Sequence, residues 1–348
     1  MREHEIAIRG TGLVNALGAD AASVFENLDA GVSGERVMLT KESGGQERPV
    51  YRAPVPQEIG RREARLRRSS VISLFACAAA QEAIAAGGYP APENMALVFA
   101  TTNGAVIYTR KFYQDIVAGN PGSPLLFPET VYNAPASHVA ALLGIDGEVL
   151  TLVSDATAGM DALRTAQEIL SSGAAETCLV VAAEEVDWIT CEAYRCWGLA
   201  RGPYSARGAV LSEGATALLL GPARPGDPIL RSVHQGVTYH RRQPVAAAID
   251  RVVGDLLEGS SPDLVVGCAA GTRFDRIEAR CLAHHAPAAR TGYPKLLAGE
   301  AFAASALLQT AVAARAIAAG FAQRTLVPVI GWNGQTGGAV LTGRAPGG

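Results

Sequence analysis

Aromatic side chains are scarce, at 6% of 348 residues, and no excess of basic residues exists: 30 Lys and Arg face 33 Asp and Glu. The formal charge of −3 excludes a basic footprint for nucleic acid and leaves no strong acidic field. No CxxC pair occurs among Cys77, Cys178, Cys191, Cys196, Cys268 and Cys281. Most of these thiols lie in apolar runs, where a free Cys behaves as a small hydrophobe, so the chain reads as cytoplasmic and reduced. The opening MREHEIAIRG carries charges and no apolar core, so no signal peptide is read. A clean membrane span is also missing. The most apolar stretch, AFAASALLQTAVAARAIAAGFA, is interrupted by Gln309 and Arg315. A spanning helix wants about 20 predominantly apolar residues, so this stretch reads as a buried helix. GxGxxG is absent too: RGTGLVNALG does not fit it, and a dinucleotide site is discounted.

What is present is Gly, Ala and 49% hydrophobic residues, enough for a large core in one or two domains and suited to tight α/β packing. Apolar strand-like runs alternate with helical patterns. EIAIRGTG, NMALVFATTNG, GEVLTLVS, TCLVVAAEE and GATALLLG read as strands of a first half. Gly87 and Gly88 stand at the C-cap of one helix, and Gly173 stops another on which Gly159, Leu163, Ala166 and Leu170 share a face. PILRSVHQGVT, PDLVVGCAAGT and TLVPVIGW repeat the theme, with a helix over 301–319 ending at Gly320. DALRTAQEILSSGAAETCLVVAAEE and SALLQTAVAARAIAAGFAQRTLVPVIG share one form, a long helix, a glycine stop and a strand, which points to an internally duplicated α/β unit. The division expected is 1–222 and 223–348. Stretches 35–60 and 118–135 read as surface or lid-like loops.

Six segments then carry a resemblance, in order. They are IRGTGLVNALGADAASVFENLDAGVSG, VYNAPASHVAALLGIDG, SDATAGMDALRTAQEILSSGAAETCLVVAAEE, GPYSARGAVLSEGATALLL, GYPKLLAGEAFAASAL and NGQTGGAVL. Together they resemble the β-ketoacyl synthase family. That resemblance implies a thiolase-like fold of duplicated α/β halves in a five-layered α-β-α-β-α core, with no cofactor and no metal. It also implies a Cys-His-His site, and each position is altered here. The Cys, three residues before the glycine matching Gly159, falls at Ala156. One His falls at Glu300, five residues after Lys295. The other falls at the turn GCAAGTRFD, at Gly267, Ala269 or Ala270 depending on the gap, with Ala270 preferred. Condensation needs a thiolate to hold the acyl chain and imidazoles to stabilise developing charge, so this set has lost its chemistry.

The resemblance is closest to a silent, chain-length-factor-like subunit. It implies pairing with an active β-ketoacyl synthase, service to an acyl carrier protein in polyketide or fatty-acid-like elongation, and a part in shaping the acyl tunnel. Tyr108, Phe112 and Ile116 recur at i, i+4 and i+8 with Tyr113 beside them, and are the candidate tunnel residues. The resemblance also implies a dimer built around the strand TCLVVAAEE, which would meet its mate from the partner subunit in one continuous sheet. The basic run RREARLRR, residues 61–68, reads as a solvated helix face or a dock for the acidic carrier. The alternative is an enzyme of another acyl-carrier thioester reaction, dehydration, cyclisation or acyl transfer, using Asp155, Glu300 or Lys295, or a cysteine; of Cys191 and Cys196 in ITCEAYRCWGLA, Cys196 is the candidate for a relocated nucleophile. Against that, Asp155 is expected to cap a helix or meet backbone donors in its turn, and Glu300 to contact Lys295 or the emptied pocket. His284 and His285 are adjacent at a helix end and lack further ligands at useful spacing, so no metal is expected there.

Overall fold

Glycines end helices where the sequence places them: Gly88, Gly144 and Gly173 each take the left-handed conformation just past a helix. The structure is a computed structural model that describes residues 5–41, 44–88, 94–202 and 204–343. The first four residues of the opening segment and Pro203 of the GPYSARG segment lie outside the described residues. The elements run β1 (Ile6–Val14), α1 (Ala21–Asp29), β2 (Arg36–Leu39), β3 (Arg48–Tyr51), α2 (Gln57–Arg62), α3 (Val71–Gly87), β4 (Met95–Thr101), α4 (Val106–Val117), α5 (Ala134–Leu143), β5 (Val149–Val153), α6 (Ala158–Ser172), β6 (Thr177–Glu184), α7 (Trp188–Cys196), β7 (Leu211–Ser212) and β8 (Gly214–Pro222). They continue with β9 (Ile229–Thr238), α8 (Val245–Leu257), β10 (Leu264–Val266), α9 (Asp275–His285), β11 (Arg290–Gly292), α10 (Lys295–Ala298), α11 (Phe302–Ala318), β12 (Arg324–Ile330) and β13 (Gln335–Thr342).

Strand pairing repeats itself. One half-sheet runs β1-β8-β6-β4-β5 and the other β9-β13-β12-β10-β11, joined where Ala7 of β1 pairs with Ile229 of β9. In each half the first two pairings are antiparallel and the last two parallel. Helices α3 and α5 cover the first half-sheet on its outer face, and α8 and α9 cover the second. Helices α6 and α11 lie between the two, in a core that also takes residues from both half-sheets. Those are the five layers of the expected core. The stretch 301–319 is indeed a buried helix, α11. Among the described residues no helix is long and apolar enough to cross a membrane.

Close approaches explain the glycines that opened the chain. A Cβ on Gly10 would strike Ala83 O at 2.0 Å, and one on Gly12 would strike Ala79 O at 1.9 Å. These glycines let α3 lie against β1; they do not cradle a phosphate.

Two expectations change. TCLVVAAEE is not at the sheet's edge: β6 pairs with β4 on one side and β8 on the other, and every residue in it is buried. The edge is β5, which pairs with β4 alone and leaves Val149 and Val153 39% and 47% exposed. Both runs are apolar, and strand order depends on contacts far apart in sequence. The stretch 35–60 is also not a plain loop. It supplies β2 and β3, which form a three-stranded sheet with β7, and β3 is wholly buried. Arg48 can be buried in β3 because Glu192 of α7 pairs with it at 2.5 Å.

Candidate functional site

Ala156 sits in the turn between β5 and α6 and is 3% exposed. Its methyl lies in one apolar cluster with Cys268, Ala270, Tyr194, Phe302, Ile330 and Trp332. Three of the rings pack on one another, with centroids 4.8 Å apart for Tyr194 and Phe302, 5.3 Å for Tyr194 and Trp332, and 5.4 Å for Phe302 and Trp332. Ala270 shares that cluster, whereas Gly267 has no room for a side chain: a Cβ there would meet the Tyr293 ring at 2.4 Å.

Glu300 follows the short helix α10 and is 1% exposed. Its Oε2 lies 2.7 Å from Lys295 Nζ, and its Oε1 accepts from the backbone N–H of Phe302 at 2.8 Å. Burial works against the Lys295 charge, yet Glu300, with Cys268 and Glu278 near it, holds the ammonium above its ordinary range. Both oxygens of Glu300 are therefore engaged, one by a buried cation.

Asp155 does not cap α6. Its Oδ1 accepts from Ala156 N at 2.8 Å and Trp332 N at 2.9 Å, and its Oδ2 from Asn333 N at 2.7 Å. It meets backbone donors of its own turn, as expected, and also ties that turn to the loop between β12 and β13. Gly331 permits the approach, since a Cβ there would stand 2.1 Å from Asp155 Oδ2. Burial pushes the Asp155 carboxyl up, and the three backbone donors partly offset this. Gln335 Oε1 reinforces the tie by accepting from Ser154 Oγ at 2.6 Å and Thr157 Oγ1 at 2.9 Å. Sequence reasoning missed this clamp, because its two sides lie about 180 residues apart.

The Tyr108–Ile116 stripe is helical, on α4, but none of α4 is buried. Tyr113 and Ile116 are 60% and 46% exposed, and Phe112 is half-buried against Phe127 at 5.6 Å. The carboxylates that close β6 and follow it hold this helix in place. Glu185 accepts from Ile107 N at 2.7 Å, and Asp187 pairs with Arg110 at 3.1 Å. Glu184 accepts from Asn103 N at 3.0 Å in the loop leading to α4. The adjacent acids after an apolar run were the signal in the sequence, read there only as a strand end.

Cys191 belongs to the same apolar cluster as Ala156, but it is buried, and burial pushes its thiol up to about 12. Cys196 is exposed at the end of α7 and is not part of the buried Ala156 cluster. In residues 61–68 the arginines are exposed around α2 and the turn after it. His285 does find company: Asp250 of α8 and Cys281 of α9 lie beside it. Cys281 stands one turn before His285 on the same helix, whereas Asp250 comes from another helix and only folding brings it there.

Repeated half-sheets around two central helices, with a buried turn at the head of α6, define a thiolase-fold protein. The chain belongs to the β-ketoacyl synthase family: the family model for the β-ketoacyl synthase N-terminal domain matches residues 3–225. In structure it is similar to the ishigamide ketosynthase/chain length factor, at 22% identity and a TM-score of 0.85 over 98% of this chain and 100% of that one. It is similar also to a type II PKS ketosynthase solved with its acyl-carrier protein, AntDE:AntF, at 16% identity and 0.83 over 98% and 100%. A third likeness is to the ketosynthase ApeO in complex with its chain length factor ApeC from Xenorhabdus doucetiae, at 15% and 0.77 over 98% of each chain. At these identities the likeness is one of fold. No curated protein matches the chain in sequence.

Proposed function

We propose that this chain is the non-catalytic member of a ketosynthase pair, joined to an active β-ketoacyl synthase and shaping the tunnel into which a polyketide or fatty-acid-like chain grows on acyl carrier protein. What supports this reading most is Ala156: the motif match puts the family's thiol at this position, where the chain has a buried methyl in one apolar cluster with Tyr194, Phe302 and Trp332. Glu300, in the place of one imidazole, is committed to Lys295. An ionised Glu would oppose a developing enolate, not stabilise it. The alternative of another thioester reaction at Asp155, Glu300 or Lys295 fits less well, since each carboxylate oxygen already holds a donor.

We place the partner's face at β5, the edge of the sheet. An edge strand with exposed valines invites pairing with another chain. Exposed Tyr113, Ile116, Val117, Phe127 and Tyr132 add an apolar surface. Residues Tyr108, Phe112, Tyr113 and Ile116 of α4 would then meet the partner's tunnel. The repeated strand pairing also supports reading 1–222 and 223–348 as two halves of one unit. The test is the isolated chain with malonyl-carrier substrate: neither decarboxylation nor extension is expected, and clear turnover at either step would overturn the reading.

A further inference from the structure

We propose that the outer face of the second half carries a transition-metal site, made by Asp250 of α8 with Cys281 and His285 of α9, which takes a zinc-class ion and clips the two helices together. Nothing in the ketosynthase reading requires it. Cys281 and His285 are four residues apart on one helix, so their side chains project from one face a single turn apart. Helix α8 packs against α9 and brings Asp250 opposite them. One ligand atom from each residue lies within 4.8 Å of the others, and His285 Nε2 is 2.8 Å from Asp250 Oδ1. Bonds of about 2.0–2.3 Å in a tetrahedral zinc site put ligand atoms roughly 3.3–3.8 Å apart. The trio therefore needs only small side-chain rotations to close on an ion.

The surroundings fit. His285 packs over Gly254, where a Cβ would come 3.4 Å from its Cε1, so the ring lies close to α8. A cavity of about 330 Å³, lined by Ala246, Ala247, Asp250, Ile277, Arg280 and Cys281, opens beside the trio and gives an ion entry and room for a water as fourth ligand. Arg280 lines it too, but is exposed and free to swing into solvent. One thiol, one imidazole and one carboxylate select zinc or cobalt over magnesium or calcium, which prefer oxygen alone. Coordination breaks the Cys281 S–H bond, forms the sulfur–metal bond and releases one proton to solvent. Half-exposed Asp250 and partly covered His285 form the rim, and buried Cys281 forms the floor.

The experiment is titration of the chelator-treated full chain with Co²⁺, followed by absorbance, and with Zn²⁺, followed by thermal unfolding. One equivalent of Co²⁺ should give a thiolate-to-cobalt band, and Zn²⁺ should raise the melting temperature. Cys281→Ser should abolish the band, and His285→Ala should weaken binding more than about tenfold, since even losses outside the ligand shell cost about 10–100-fold. Cys196→Ser, which removes the exposed thiol, should change neither. If Cys281→Ser folds poorly, Asp250→Asn and His285→Gln at the rim decide the matter: each should weaken binding. Absence of a thiolate band, its loss in Cys196→Ser, or full affinity in both rim variants overturns the site. None of these outcomes bears on whether the chain pairs with a ketosynthase.

Discussion

Lys295 Nζ lies 2.7 Å from Glu300 Oε2, and the two side chains are 2% and 1% exposed. A buried ion pair rarely exceeds a well-packed apolar pair in stability, but removing one partner strands the other's charge. The pair thus fixes the turn that leads into α11. Glu300→Gln should cost about 3–5 kcal/mol in chemical denaturation, and Lys295→Met with Glu300→Leu together should cost less than the two single changes summed. Strict additivity would mean the residues do not act on each other.

A thiol placed at Ala156 should not confer condensation. Ala156→Cys gives at most slow self-acylation, visible as an acyl adduct by mass spectrometry, because no imidazole is present at Ala270 or Glu300 to stabilise later charge. Chain extension at a rate near that of a complete ketosynthase would show those positions to be dispensable.

Asp155→Ala should loosen the loop at Trp332 and Asn333. It leaves the N–H groups of Ala156, Trp332 and Asn333 without their acceptor, at about 1–3 kcal/mol for each donor left buried and unsatisfied. Amide exchange at residues 332 and 333 should quicken far more than in β13. Unchanged exchange would remove the clamp from the account.

Stability should fall as pH rises toward neutrality. Burial pushes the carboxyls of Glu184 and Glu185 up to about 7, against backbone and side-chain donors that pull them down. The folded state therefore holds protons that the unfolded chain, with carboxyls near 4.5, has lost. This contribution is fully present below the unfolded value and is lost as pH climbs through about 7, at about 1 kcal/mol per pH unit for each group in that window. Melting temperatures from pH 5 to 8 should flatten in Glu184→Gln and Glu185→Gln. A wild-type slope that persists in both would assign it to other groups.

Much of the fold was legible, because glycine stops and apolar runs are local signals. The order of the strands was not. β5 and β6 are both short apolar runs, and only pairing with β4 and β8 decides which is the edge. The Lys295–Glu300 contact was legible, since the two residues stand five apart in one motif. The Asp155 clamp, the Arg48–Glu192 pair and the Asp250–Cys281–His285 trio were not, since each joins elements that only folding brings together.

If the α4 stripe faces the partner's tunnel, its volume limits product length. Phe112→Ala or Tyr108→Ala in a reconstituted pair should lengthen the products, since truncation opens room for several methylenes. Wild-type product distributions at normal rates in both variants would withdraw that role from the stripe.

The most direct measurement is co-purification of this chain with a ketosynthase that carries Cys-His-His, followed by an extension assay on acyl carrier protein. The account predicts a one-to-one complex in which extension needs both chains but only the partner's Cys, and in which a charged residue at Val153 of the β5 edge weakens assembly. A partner that neither binds this chain nor gains activity from it would contradict the claim.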